Sequence, residues 1–281
     1  MRVRGFGLRA FAISVALVAA TSGCVVRVTA AGDIGSSASQ ARPVSDQILR
    51  LNPSRVLIPG DLVYPDGAPS GFAGFFDQTW GRFKSKIVAT PGNHEYHTPG
   101  AAGFYGYFRQ PQYFGKDIGV GWRVEVVNCE IPCGAGSAQE VAIKADAVAH
   151  RGRHLILLVH RPRFTGGSAH APYTALSAIW NDVAANGGEL AIAGHNHVYE
   201  RFARMNGSGA LDPRHGMRQF VAGTGGNGLY SVRPVAGEEA FQSAKHGVLY
   251  LELSSKRYTW GFIATDGQVM DFGTQTTKTT G

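Results

Sequence analysis

Ser54-Arg55-Val56-Leu57-Ile58-Pro59-Gly60-Asp61-Leu62-Val63-Tyr64 is the stretch on which the chain turns. Residues 55–58 are a short apolar run of strand length, closed by a proline and a glycine that mark a turn. Gly60 lets the backbone turn sharply. Asp61 then leaves the strand end with a carboxylate, and Tyr64, three residues on, brings a phenol back to the same place. Gly-Asp after a strand is ordinarily only a turn. It gains weight here because four other strand ends offer polar groups in the same manner.

On either side of this stretch, strands and helices alternate. Residues 25–31 read as a strand and 43–51 as a short helix with Pro43 near its start. A helix around 71–82 and strands at 86–89 and 122–128 follow. A helix at 138–150, a strand at 155–159, a helix at 173–185 and a strand at 190–193 complete the alternation. This rhythm argues for largely parallel pairing with helices on the faces. After Arg218 only strands remain, at 219–222, 247–253, 258–263 and 269–272, with Asp266-Gly267 as a tight hairpin turn. The expected fold is α/β: mixed, largely parallel β-sheets in a two-sheet sandwich flanked by helices. One domain spans 25–273, and 274–281 reads as a frayed tail.

The chain has 281 residues, 44% of them hydrophobic, enough for a full core. Its formal charge is +7, three of it from Arg2, Arg4 and Arg9. A mild basic excess suits an anionic substrate, and no Lys/Arg run is dense enough to argue for nucleic acid. Residues 1–23 carry those arginines, then an apolar run too short to span a membrane, then small residues, which is the pattern of an export signal. Ser22-Gly23-Cys24 also resembles a lipoprotein acylation site, although Thr21 stands where that signal prefers an aliphatic residue. The expected location is secreted or cell envelope, with a membrane contact only if Cys24 is lipidated. Cys129 and Cys133 flank Glu130-Ile131-Pro132 and form either a small disulfide ring or two free thiols; export favours the bridge.

Sites in open α/β sheets form beyond the carboxyl ends of strands. Five such ends carry candidate ligands: Asp33, then Asp61 with Tyr64, then Asn93-His94-Glu95, then His160, then His195-Asn196-His197. Singly, Asp33 and Asn93 read as turn residues and His160 as a half-buried histidine. Jointly, at one rim of a sheet, they read as a site. Carboxylate, amide, imidazole and phenolate suit iron, manganese or zinc. One shared carboxylate with three further ligands per ion makes a two-metal site, the ions ~3.5–4 Å apart.

With Asp33, Gly60-Asp61-x-x-Tyr64, Gly92-Asn93-His94-Glu95, Val159-His160 and Gly194-His195-Asn196-His197, the chain resembles the calcineurin-like metallophosphoesterases, and Tyr64 narrows the likeness to purple acid phosphatases in a short, single-domain form. That resemblance implies Asp33, Asp61, Tyr64 and His197 as ligands of Fe(III). It implies Asp61, Asn93, His160 and His195 as ligands of a second ion, Fe(II), Zn or Mn. It implies His94 as a phosphate contact that protonates the leaving group. His170, ten residues beyond His160, falls where the family places another phosphate-contacting histidine. Asn196 occupies a position the family varies, and the short Cys129–Cys133 loop bears on the rim of the site and on substrate preference. Glu95 and Arg201 read as supporting residues. The implied activity is an exported, binuclear phosphatase that hydrolyses small phosphate monoesters by attack of a metal-bound hydroxide. A phosphodiesterase is the alternative within the same chemistry. A non-catalytic envelope binding protein is the rival class, and the intact ligand set and His94 speak against it. Gly223-Thr224-Gly225-Gly226-Asn227-Gly228 imitates a dinucleotide-binding loop, but no helix is expected behind it, so it reads as a loop bordering the metal site.

Overall fold

The computed structural model describes residues 24–278, so the segment read as an export signal lies outside the described residues. Among the described residues, thirteen strands form two sheets. The first runs β13 (Val269–Thr276), β12 (Arg257–Ala264), β11 (Gly247–Leu253), β1 (Val26–Ala30), β2 (Arg55–Pro59), β3 (Ile87–Thr90). The second runs β10 (Glu238–Gln242), β8 (Tyr199–Met205), β9 (Met217–Ala222), β7 (Gly188–Ala193), β6 (His154–Leu158), β5 (Trp122–Val126), β4 (Phe114–Gly119). Parallel pairing joins β1 to β2 to β3 in the first sheet, and β5 to β6 to β7 to β9 in the second. The remaining pairs are antiparallel, so both sheets are mixed.

The period-two rule explains the layers. Along β6, Ile156 and Leu158 point between the sheets, with Leu57 of β2 and Leu249 of β11, while Leu155 and Leu157 pack under the helices Ala138–Ala149 and Ser177–Ala185. β2 divides likewise: Leu57 faces the inter-sheet core, and Val56 and Ile58 face the helix Ala38–Leu51. Strands apolar on both faces need cover on both, and a helix–sheet–sheet–helix sandwich supplies it. No helix of the described residues is long and apolar enough to cross a membrane.

Several elements differ from the sequence reading. The first helix begins at Ala38, capped by Ser37, and holds Pro43 inside rather than at its start. The helix expected around 71–82 is a run of short helical pieces from Pro69 to Lys86, interrupted where Gly74 and Phe83 leave helical backbone. β4, β8 and β10 are additional strands. β4 and β10 are edges, where glycine and charge blunt the pattern. β13 runs three residues into the stretch read as a frayed tail.

Candidate metal centre

The loops after β1, β2, β3, β6 and β7 meet at one rim, as the strand-end pattern anticipates. Asp33, Asp61 and His195 each hold left-handed backbone, with φ of 57°, 51° and 69°. Such a conformation is costly for residues with a Cβ and persists only when the surroundings impose it. They do: Asp33 N–H donates to the Gly60 carbonyl at 3.1 Å, and Asp33 Oδ2 accepts from the His195 amide at 2.9 Å. Two glycines make room. A Cβ on Gly60 (φ 86°) would lie 2.3 Å from His160 Nδ1, and one on Gly92 would lie 2.2 Å from Asp61 Oδ1.

The side chains gather in two groups that share Asp61. In one, the Tyr64 hydroxyl lies 3.0 Å from Asp61 Oδ2, 3.2 Å from Asp33 Oδ1 and 3.0 Å from His197 Nε2. In the other, His160 Nε2 lies 3.1 Å from Asn93 Oδ1, 3.1 Å from His195 Nδ1 and 3.4 Å from Asp61 Oδ2. Asp61, His160 and His195 offer ligand atoms all within 4.8 Å of one another, the geometry of a cation cluster. All seven sequence-identified candidate ligands are therefore brought together. His94 sits at the mouth, its Nε2 3.9 Å from Asp61 Oδ2, and His170 stacks on His195 with ring centroids 3.8 Å apart.

Backbone carbonyls set the histidine tautomers. His160 Nδ1 faces the Pro59 carbonyl at 2.8 Å, His197 Nδ1 the Gly228 carbonyl at 2.7 Å, and His94 Nδ1 the Pro65 carbonyl at 2.6 Å. A carbonyl only accepts, so each Nδ1 carries a proton and each Nε2 is turned to the site, the arrangement usual for ligating imidazoles. Burial opposes charge on Asp61, but the facing His160 and His94 hold it well below the usual carboxylate range. Burial likewise opposes charge on His160, yet Asp61 raises it to about 10. His195 goes the other way, lowered by burial and by its positive neighbours. Burial and the two aspartates push the Tyr64 phenol far up, so in the absence of a cation it stays protonated. Asp61 stays charged while the Tyr64 phenol and the His195 imidazole are held neutral, and a cation set among these oxygen and nitrogen atoms would add the positive charge that favours phenolate. The donor set fits a metal.

Glu95, read as a supporting residue, is one, and two further supporting residues were less legible. Fully buried Glu95 accepts from the amides of Asp61, Leu62, Val63 and Gly92 at 2.8–3.0 Å, tying the β2 and β3 loops together. Burial and the Asp61 charge push it up to about 8, against the pull of those amides. Asn196, read as a neutral position, accepts from the His170 amide at 3.1 Å and donates to the His170 carbonyl at 3.0 Å, fixing that loop. Arg161, which the sequence reading passed over, contacts His195 Nε2 at 3.2 Å. The glycine-rich loop opens no helix and borders the cluster, as expected.

Cys129 and Cys133 form a disulfide with Cα atoms 5.3 Å apart, while Cys24 is free and exposed. So small a ring constrains little of the unfolded chain. Cys129→Ser is expected to cost no more than about 2 kcal/mol in urea unfolding. A larger loss would mean that the ring holds the fold and not only its loop.

Residues 26–199, more than half of the chain, match the calcineurin-like phosphoesterase family. The chain belongs to that family. No curated protein matches it. Among solved structures, this calcineurin-like phosphoesterase is similar to a purple acid phosphatase from yellow lupin (Lupinus luteus) seeds, at 19% identity and a TM-score of 0.73. The match covers 92% of this chain and 55% of the lupin chain, so the chain spans about half the length of that relative. It is also similar to GAP50, the anchor in the inner membrane complex of Plasmodium (13% identity, TM-score 0.73, 91% and 90% covered). PhoD is a third (11% identity, TM-score 0.64, 93% and 71% covered). At these identities the likenesses show a shared fold.

Proposed function

We propose that this chain is an exported, binuclear metal-dependent phosphatase of the purple acid phosphatase type, acting on small phosphate monoesters. The observation that carries the proposal is the pair of four-residue groups sharing Asp61. Asp33, Asp61, Tyr64 and His197 would hold Fe(III), and Asp61, Asn93, His160 and His195 would hold Fe(II), Zn or Mn. When bound, such a pair supplies Lewis-acid charge and an acidified water for in-line attack on phosphorus. The chain's own residues do the rest. His94, its Nδ1 proton committed to Pro65, keeps Nε2 free to hold or give a proton at the leaving oxygen. His170, stacked on His195, flanks the phosphate from the opposite loop. The disulfide accords with an oxidising compartment and so with export.

Metal analysis, a visible spectrum and paired assays test this. The purified protein is expected to carry two metals and to hydrolyse an aryl phosphate monoester faster than the matching diester. Its ferric form should absorb in the visible through the Tyr64 phenolate, and Tyr64→Phe should bleach it. A colourless, active zinc or manganese enzyme would defeat the Tyr64–iron assignment. Faster diester turnover would make it a phosphodiesterase, and a metal-loaded protein inert to both esters would leave the binding-protein reading.

A further inference from the structure

We infer that Arg161 binds a non-bridging phosphoryl oxygen beside His195, and that Glu130, carried by the Cys129–Cys133 ring, aims it there; this rests on the phosphatase proposal. Arg161 directly follows His160 at the end of β6. Its Nε and Nη2 each lie 2.8 Å from a different carboxylate oxygen of Glu130. Such a fork fixes the plane of the guanidinium as well as its position. The Glu130 side chain is only 8% exposed and that of Arg161 27%, so one partner is the buried clamp and the other reaches outward. Glu130 is itself anchored: its amide donates to Asn128 Oδ1 at 3.0 Å, and Asn128 Nδ2 donates to the Tyr96 and Tyr105 hydroxyls. The Cys129–Cys133 disulfide closes the small ring that contains it. Tyr173 lies alongside the guanidinium, its ring centre 5.7 Å away.

What remains unclamped is Nη1, 3.2 Å from His195 Nε2. A guanidinium only donates, so His195 Nε2 is the acceptor at this contact. His195 Nδ1, however, is the atom that faces His160 and the candidate cluster. Were Nδ1 to hold an ion as a neutral imidazole, Nε2 would carry the ring's one N–H, and Arg161 Nη1 would be left a donor without this acceptor. The Glu130 fork keeps the cation at the rim, so the donor that is released points where a substrate phosphate would bring oxygen. A planar, permanently charged donor suits a phosphoryl group better than lysine does.

Two measurements on metal-loaded protein test this: calorimetric titration with inorganic phosphate, and aryl phosphate kinetics. Arg161→Met is expected to weaken phosphate binding and raise KM in parallel, each about 10–100-fold, as losing a charge-assisted hydrogen bond would. Metal content should be unchanged and kcat less affected than KM. Arg161→Lys should fall between, and Glu130→Gln should reproduce part of the loss with Arg161 still present. If Arg161→Met does not fold, those two carry the comparison. A merely structural residue would lower thermal stability or metal content and leave phosphate affinity of the folded, loaded protein alone. Phosphate affinity and KM within twofold of wild type in Arg161→Met, with wild-type hydrolysis intact, would overturn the inference alone. A wild type that binds phosphate more tightly than the variant but hydrolyses neither ester would sink the phosphatase proposal and leave the inference standing. A loaded wild type that neither binds nor hydrolyses would end both.

Discussion

Asp61→Asn is expected to lose metal and turnover together, whereas His94→Ala keeps its metal and loses only rate. The contrast follows from placement. Asp61 lies in both groups of candidate ligands: Oδ2 meets Tyr64 and His160, and Oδ1 accepts from the His94 amide at 3.0 Å. Asparagine keeps the shape, but it replaces an anion that accepts on both oxygens by a neutral amide with one donor end. That end must point either at the His94 N–H or at the Tyr64 and His160 side, and neither choice leaves a shared anionic ligand. Metal analysis of Asp61→Asn should therefore show one or both ions missing, with activity down by more than that of any rim variant. His94 contributes no atom to either group; its ring packs on Tyr64 at 4.0 Å and its side chain is 25% exposed. Removing it should cost about 10²–10⁴ in rate, the usual worth of a positioned acid or base. Asp61→Asn that retains two tightly held ions, or His94→Ala that loses them, would reverse the two assignments.

These placements could be read from the sequence because each candidate ligand closely follows a buried strand. Asp33, Asp61, Asn93, His160 and His195 are each placed by a short apolar run and a turn, which are local signals, and parallel pairing then puts the strand ends at one rim. What escaped reading depends on partners distant in the chain. β8 reads as too charged for a strand until Arg201 is seen against Asp271 and Arg204 against buried Glu189. Nothing near Ser37 shows that Pro43 would be absorbed inside a helix rather than start one; packing of Val44 and Ile48 on β2 decides it. Asn196 read as neutral because its side-chain bonds go to the His170 backbone, 26 residues away, and to the Thr165 hydroxyl. Arg161 is adjacent to a ligand in sequence, but its meaning depends on Glu130 across the rim. A charged residue beside a ligand histidine, with an acid inside a nearby cysteine ring, is the signal that would have found it.

Glu95 tests how much of the site is held from beneath. Its carboxylate takes four backbone N–H groups, two on each oxygen: Leu62 and Val63 on Oε1, Asp61 and Gly92 on Oε2. No other side chain bridges both loops in this way among the described residues. Glu95→Gln keeps one oxygen, so Leu62 and Val63 stay satisfied, but its NH₂ now opposes the amides of Asp61 and Gly92. Each buried donor left unpaired costs about 1–3 kcal/mol, which puts this variant roughly 2–6 kcal/mol below wild type. Glu95→Ala orphans all four, yet it also opens a polar space that water can enter and partly repair. Its loss should therefore exceed about 3 kcal/mol without reaching twice that of Gln. In both variants the left-handed turn at Asp61 loses its fastening, so metal affinity should fall although no ligand has been touched. Urea unfolding of metal-free protein above pH 8, where the Glu95 carboxylate is ionised, isolates the first effect, and metal titration of the folded variants isolates the second. Glu95→Ala within 1 kcal/mol of wild type, or with undiminished metal affinity, would show that Asp61 is held by the Asp33–Gly60 and Gly35–Tyr64 backbone bonds instead.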